Sequence, residues 1–331
     1  MAIQHPQTKS LKELIQNRCY RIPLYQRPYT WGTDEVEELW DDISKSKSGY
    51  FLGIVLFQSQ DNTREPFPDE LHIVDGQQRL ATLLLMMRAA VVTLEKNGEE
   101  KMAGKFQEAY IEQSSPGEEE RSHTTLILSK RDKEKFQSIL SGKSLKEKHR
   151  FASWNDLDKA FQCLCVKFDQ LKEKEGKNGI IRFVTEKVLK TSFIDVLLET
   201  ESDVYQFFET LNDRGMALTI ADLLKNRICM EAVEEAGRQG KSPAEYIEES
   251  VGIIDSISEK VGPGNFKKFL LHYCLANGDA EEPTPAKKLM EWYIERIIKI
   301  ADVKKFLKHL DLHASYYATF SKPNRCDARE K

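Results

Sequence analysis

Two short runs dense in β-branched and aromatic residues predict strands: Tyr50 to Gln58 (YFLGIVLFQ), which reads as buried, and Leu71-His-Ile-Val74. Gly76 then turns the chain, and Gln77 to about Lys96 is a strongly apolar stretch of helical length. Further strands are expected at Thr124 to Leu128 and near Phe193 to Leu198. Ser10-x-x-Glu13 is a capping box that opens a short helix to about Asn17. Thr33 caps a second helix, from Asp34 to about Ser44, whose acidic first turn suits the helix dipole. Helical periodicity marks 154–175 and 178–190. It continues in Asp203 to Asn212, in a helix opened by Thr219-x-x-Asp222 to about Ala236, and throughout the chain after Asn265. Trp292, Ile297 and Phe306 are expected in the core there. Between Asn97 and Arg150 charge rises and no period stands out, with an exposed loop at Ser114 to Glu120.

Strands and helices in this order predict an α+β fold, with a small mixed-sheet core followed by a mainly helical C-terminal region. The expected division is a core over 1–100, helix and strand elements completing it over 101–230, and a helical region over 231–331. The chain stops in Ser321-Lys-Pro-Asn-Arg-Cys-Asp327 without a closing element, as a domain of a longer protein would. Net charge is −4, so any DNA surface would be a local patch. Six cysteines form no regular framework, which suits reduced thiols in the cytoplasm. No apolar run approaches the roughly 18 residues of a membrane span, and the first residues carry no apolar leader.

Three stretches carry candidate chemistry. In Asp75-Gly76-Gln77-Gln78-Arg79 a strand ends, a glycine turns, and a helix begins. Its free N–H groups and positive dipole end favour an anion, to which Arg79 can add a bidentate phosphate contact. Asp75 can hold Mg²⁺ or orient water. The same spacing equally describes a capped structural turn with a surface arginine. If Arg79 grips phosphate its removal should barely change stability, whereas a large destabilisation would favour the structural turn. In Tyr25-Gln26-Arg27-Pro28-Tyr29-Thr30-Trp31, aromatics alternate with an amide and a guanidinium on a proline-stiffened backbone. Such a segment can stack a base and read its edge, or simply fill core. Leu211 to Leu218 joins two helices, with Asn212 and Asp213 suited to a turn and Gly215 to a left-handed cap. Arg214, then Lys225 further on, are candidate DNA contacts or ordinary surface cations. By strand alternation Ile73 and Asp75 share one face and His72 the other, which separates His72 from Asp75 unless the strand ends early and the turn re-aims the carboxylate. Gly237 to Ser242 lacks the first glycine of a phosphate-binding loop, and His309 with His313 has no third ligand nearby.

Together and in this order, three segments resemble the N-terminal domain of GmrSD-type, type IV restriction enzymes and related phosphorothioate-dependent phage-defence proteins. They are Ile22-Pro-Leu-Tyr-Gln-Arg-Pro-Tyr-Thr-Trp31, Asp75-Gly-Gln-Gln-Arg-Leu-Ala-Thr-Leu83 and Phe208-Glu-Thr-Leu-Asn-Asp-Arg-Gly-Met-Ala-Leu218. Ala81 departs from a common threonine, while Thr82 keeps the next one. The resemblance implies a ParB/sulfiredoxin-like core and hydrolysis of a nucleoside triphosphate, GTP favoured, with Mg²⁺ where Asp75 supports it. It implies modified DNA as partner and a His-Asn-His-type nuclease, on the same chain or a separate one. Gly76, Gln77, Gln78, Arg79, Thr82 and Arg27 would then hold nucleotide, with Asp75, Gln78 and Arg79 catalytic. Tyr25, Gln26, Tyr29, Trp31, Asn212, Arg214 and Lys225 would sense modified DNA. A regulatory module that binds without turnover remains the alternative, and a homo-oligomer is compatible with either.

Overall fold

The computed structural model describes residues 6–16, 18–23, 26–59, 70–114, 122–143, 145, 151–198, 224–225, 227–228, 231, 235, 243–277, 292–293 and 302–321. Tyr25, Asn212, Arg214, Ile297 and the expected elements over 203–218 lie outside them. The chain packs as two compact units: Met1–Pro23 with Arg27–Val204, and Leu24–Gln26 with Tyr205–Lys331.

The first unit is α+β. Its strands are β1 (Gln7–Ser10), β2 (Cys19–Arg21), β3 (Phe51–Ser59), β4 (Glu70–Asp75), β5 (Glu112–Ser114), β6 (Ser122–Thr124), β7 (Leu126–Ile127) and β8 (Ser192–Leu198). Six of them form a mixed sheet in the order β1-β8-β3-β4-β2-β7, and β5 pairs β6 in a separate ribbon. The β1–β8, β3–β4 and β5–β6 pairs are antiparallel, and β2–β4, β2–β7 and β3–β8 are parallel. Helices α1 (Leu11–Ile15), α2 (Thr33–Lys45), α3 (Gln77–Lys96), α4 (Glu100–Tyr110), α5 (Lys130–Ser141) and α6 (Ala152–Arg182) surround it. α3 is buried almost along its whole length, as an all-round apolar helix must be. It packs with β3, α2, α4 and α6 into one continuous core.

Several local signals are realised as expected. Ser10 and Glu13 form the reciprocal cap of α1, with Glu13 accepting from the Ser10 N–H at 2.7 Å. The helical run over 152–188 breaks at Gly176 (φ 66, ψ −171), so that two limbs meet where periodicity changed. Phe168 and Phe183, one on each side of the break, lie 5.7 Å apart, so the limbs fold back on each other. One start is corrected: Gly32, not Thr33, caps α2, and Glu35 accepts its N–H at 2.8 Å.

In the second unit, α7 (Pro243–Val261), α8 (Phe266–Ala276) and α9 (Val303–Ser321) pack through Ile254, Ile257, Leu270, Phe306, Leu307 and Leu310. Phe306 is in the core as expected. At the other position it is Tyr293, fully buried, rather than half-buried Trp292. Among the described residues no helix is long and apolar enough to cross a membrane.

Candidate functional site

The strand-to-helix turn is built by two glycines. β4 ends at Asp75, and Gly76 takes φ 100 before α3 begins. A Cβ on Gly76 would lie 3.1 Å from both Val55 methyls, so the position needs glycine for conformation and for space. Upstream, Gly53 (φ 94) breaks the regular run of β3. A Cβ there would come within 2.8 Å of Arg79 Nη1. The break exposes two main-chain carbonyls to Arg79. Its guanidinium donates to Leu52 O, to Ile54 O at 2.8 Å and to Asp75 Oδ2 at 2.9 Å.

Arg79 is therefore no solvated arginine, although 20% of its side chain remains exposed. Hydrogen bonds to a charged group contribute roughly 1.5–3 kcal/mol, so Arg79→Ala is expected to cost about 2 kcal/mol of stability in denaturant unfolding. A change below a few tenths of a kcal/mol would return Arg79 to the surface class.

β4 carries an irregularity that changes which side chains share a face. Leu56 pairs with Asp75 and Phe57 with Ile73, so Val74 has no partner of its own. Such a bulge reverses the alternation beyond it. Asp75 thereby joins the face of His72, whose partner is Gln58, and leaves that of Ile73. Regular alternation, which would set His72 and Asp75 on opposite faces, assumes an unbroken ladder and does not hold past Val74.

The first turn of α3 also holds the aromatic segment. Gln77 Nε2 donates to Arg27 O at 3.1 Å and Gln78 Nε2 to Pro28 O at 3.0 Å, while Gln78 Oε1 accepts from the Thr30 N–H at 3.0 Å. Two glutamine amides thus serve main-chain groups of a stretch that proline keeps out of the sheet. Tyr29 is buried, and burial pushes its phenol well above the usual range. Its hydroxyl meets Thr82 Oγ1 at 2.8 Å, and Thr82 donates to Gln78 O at 2.8 Å. Trp31 is half-buried against the core.

Asp132, near the start of α5, completes this arrangement. Its Oδ2 accepts the Tyr29 N–H at 2.7 Å and its Oδ1 accepts Ser153 Oγ at 2.6 Å. Burial raises its pKa above the ordinary carboxylate value, opposed by these two hydrogen bonds. A cavity of about 10 Å³, room for about one water, lies among Arg27, Tyr29, Gln77, Gln78, Ser129 and Asp132. Gln77 Oε1 is buried without a hydrogen-bond partner.

The structure thus brings Arg27, Tyr29, Gln77, Gln78 and Thr82 into one cluster, with Asp75 and Arg79 at the adjoining turn. Gln26 belongs to the second unit. So does Lys225, which is 7% exposed and forms an ion pair with Asp255 of α7. Asp132 and Gly53 were not singled out from the sequence. Ser129-x-x-Asp132 has the spacing of a helix start, and a lone glycine inside YFLGIVLFQ signals a bulge. Among the described residues no three His, Cys, Asp or Glu side chains gather as a metal site.

Residues 11–229 match the family model described as the GmrSD restriction endonuclease, N-terminal domain. That span contains all three sequence segments. No curated protein matches the chain.

Proposed function

The chain belongs to the family of GmrSD restriction endonuclease N-terminal domains, and from that premise we propose that it is the nucleotide-binding, DNA-sensing part of a modification-dependent restriction system. The observation that carries this reading is the bond set from Gln77 and Gln78 to Arg27, Pro28 and Thr30. Phosphate at the N-terminus of α3 would lie beside these amides, where helix N–H groups have no intrahelical acceptor. A ligand that recruits either glutamine must release the main chain of Arg27 to Thr30, the stretch that carries Tyr29 and leads to Trp31. Nucleotide and DNA would thereby bias one local equilibrium.

Asp75 and Arg79 stand at the edge of the same helix start. A triphosphate competes with Asp75 for Arg79, which frees the carboxylate to orient water. Mg²⁺ would be held by Asp75 together with phosphate oxygens, since Mg²⁺ commonly rests on one or two carboxylates plus substrate. Arg27 adds a second cation beside the phosphates. GTP is the favoured nucleotide, and cleavage is assigned to a His-Asn-His-type nuclease domain or subunit.

The test measures labelled GTP and ATP binding, and phosphate release with ordinary and phosphorothioate-bearing plasmid. The expectation is GTP binding whose α3 component Gln78→Ala abolishes, and phosphate release that rises with modified DNA. No triphosphate binding at millimolar concentration would reject the proposal. Binding without release would favour a regulatory module, a second reading supported by the Asp75–Arg79 pair, which occupies the carboxylate.

A separate outcome concerns DNA itself. With Mg²⁺ and GTP the purified chain is expected to leave modified plasmid intact. Because His72 and Asp75 share a face, both are assayed as alanine variants. Nicking that either variant abolishes would place the nuclease in this unit.

A further inference from the structure

A second cleft of about 490 Å³ opens in the first unit between the C-terminal half of α2 and the two limbs of the broken helix. It lies within the roughly 300–1,000 Å³ range of small-molecule sites. It shares no residue with the cluster at the start of α3.

Its floor is aromatic. Trp40 stacks on Phe183 with centroids 4.5 Å apart and meets Phe168 edge-on at 4.8 Å. Trp40 and Phe183 are 8% and 7% exposed, so each offers a small apolar part of its surface to the cleft, beside Leu171. Around them stand four cations, Lys167, Lys174, Arg182 and Lys187, against two carboxylates, Glu175 and Glu186. In a chain of net charge −4 this is a local excess of positive charge.

The cations are not equally available. Lys187 donates to the carbonyls of Ser44 and Ser46 at the end of α2, and Arg182 pairs with Glu175. Lys167 lies 3.3 Å from Glu37. Lys174 is exposed and has no ionic partner among the described residues. The wall that carries Phe183, Glu186 and Lys187 is a π-helical turn over Phe183–Val188. π turns are energetically poor and recur where a site needs side chains re-aimed. A left-handed Gly176 allows the limbs to fold back and form the cleft.

We propose that this cleft binds a nucleotide, with the base against Trp40, Phe183 and Leu171 and the phosphate at Lys174 and Lys167. An apolar aromatic floor with a cationic rim fits a flat base joined to an anion better than either part alone. The nucleotide is either free or extruded from DNA, and both present the same chemistry.

The test titrates the full chain with dGMP, deoxyguanosine, inorganic phosphate, and a duplex bearing one unpaired guanine. The readout is the fluorine spectrum of protein labelled with 5-fluorotryptophan, assigned by Trp40→Phe. The expected result is that dGMP moves the Trp40 resonance and leaves Trp31 in place. Deoxyguanosine and phosphate should bind at least tenfold more weakly. Tighter binding of the duplex than of dGMP, or the reverse, supports the site and names the source.

Lys167→Glu with Lys174→Glu should weaken dGMP at least tenfold at an unchanged melting temperature. Ser44→Tyr, which plugs the cleft without altering charge, should do the same. The component of labelled GTP binding that Gln78→Ala removes should persist in both, so failure here is distinguishable from failure there. Equal affinity for phosphate and dGMP, unchanged affinity in both variants, or no response from Trp40 would each overturn the proposal.

Discussion

Replacing Asp132 by alanine is expected to destabilise the first unit by about 2–4 kcal/mol, because it leaves two buried donors without acceptors. The Tyr29 N–H and the Ser153 hydroxyl both depend on this carboxylate, at 2.7 and 2.6 Å. Asp132→Asn should be far milder. Its amide oxygen can accept from Tyr29, and its amino group can donate to the Ser153 oxygen. The two variants therefore separate the loss of hydrogen bonds from the loss of charge.

A pH signature follows from burial. The folded-state pKa of Asp132 is raised, so the folded protein binds its proton more tightly than the unfolded chain does. That contribution to stability is complete below the ordinary carboxylate pKa. It is lost as pH rises through the folded-state value, where the buried group must ionise. An asparagine side chain cannot ionise. The stability of Asp132→Asn relative to wild type should thus improve from acid to neutral pH, measured as urea midpoints across that range. A constant difference would mean that Asp132 titrates alike in both states. Asp132→Ala should also uncouple the aromatic segment from the start of α3, and with it any response of nucleotide turnover to DNA.

What was legible in the sequence was mostly local. α3 begins and ends where Gly76 and Lys96 predict, since a left-handed turn and a long apolar run leave little choice. The capping box at Ser10, the strands over Phe51–Ser59 and Glu70–Asp75, and the break near Gly176 rest on contacts within a few residues. Short strands such as Cys19–Arg21 and the helices Glu100–Tyr110 and Lys130–Ser141 gave no comparable signal. Their charged faces dilute the apolar period, and their place is decided by partners distant in sequence. Tyr20, for instance, stacks on Phe57 at 4.9 Å.

The site divides in the same way. Its turn was legible, but its wiring was not. Arg79 can be read as a free surface cation until a bulge at Gly53 supplies two carbonyls. Gln77 and Gln78 can be read as free amides until the backbone of Arg27 to Thr30 is laid against them. Each of these bonds joins segments that only the sheet brings together. The bulge at Val74 is the sharpest case, since one unpaired residue moves Asp75 to the opposite face of the strand.

The Gly76 turn is the point on which both the fold and the candidate site depend, and Gly76→Ala is expected to cost about 2–5 kcal/mol. Two effects add. A non-glycine residue in the left-handed region loses roughly 1–2 kcal/mol, and overpacking against a core side chain typically costs about 1–3 kcal/mol more. The second effect applies here because the added methyl would sit 3.1 Å from both methyls of Val55, itself fully buried. Gly98 supplies the control. It has φ 76, at the end of the same helix, and a Cβ there meets nothing within 4 Å. Gly98→Ala should therefore show the conformational cost alone, about 1–2 kcal/mol. If phosphate binds at the α3 start, Gly76→Ala should also lose GTP affinity when assayed below its unfolding transition, whereas Gly98→Ala should retain it. Double variants with Val55→Ala should recover most of the excess, since the smaller side chain removes the clash but not the strain. Equal unfolding midpoints for Gly76→Ala and Gly98→Ala would show that the turn tolerates a side chain, and that the contact with Val55 does not fix the start of α3.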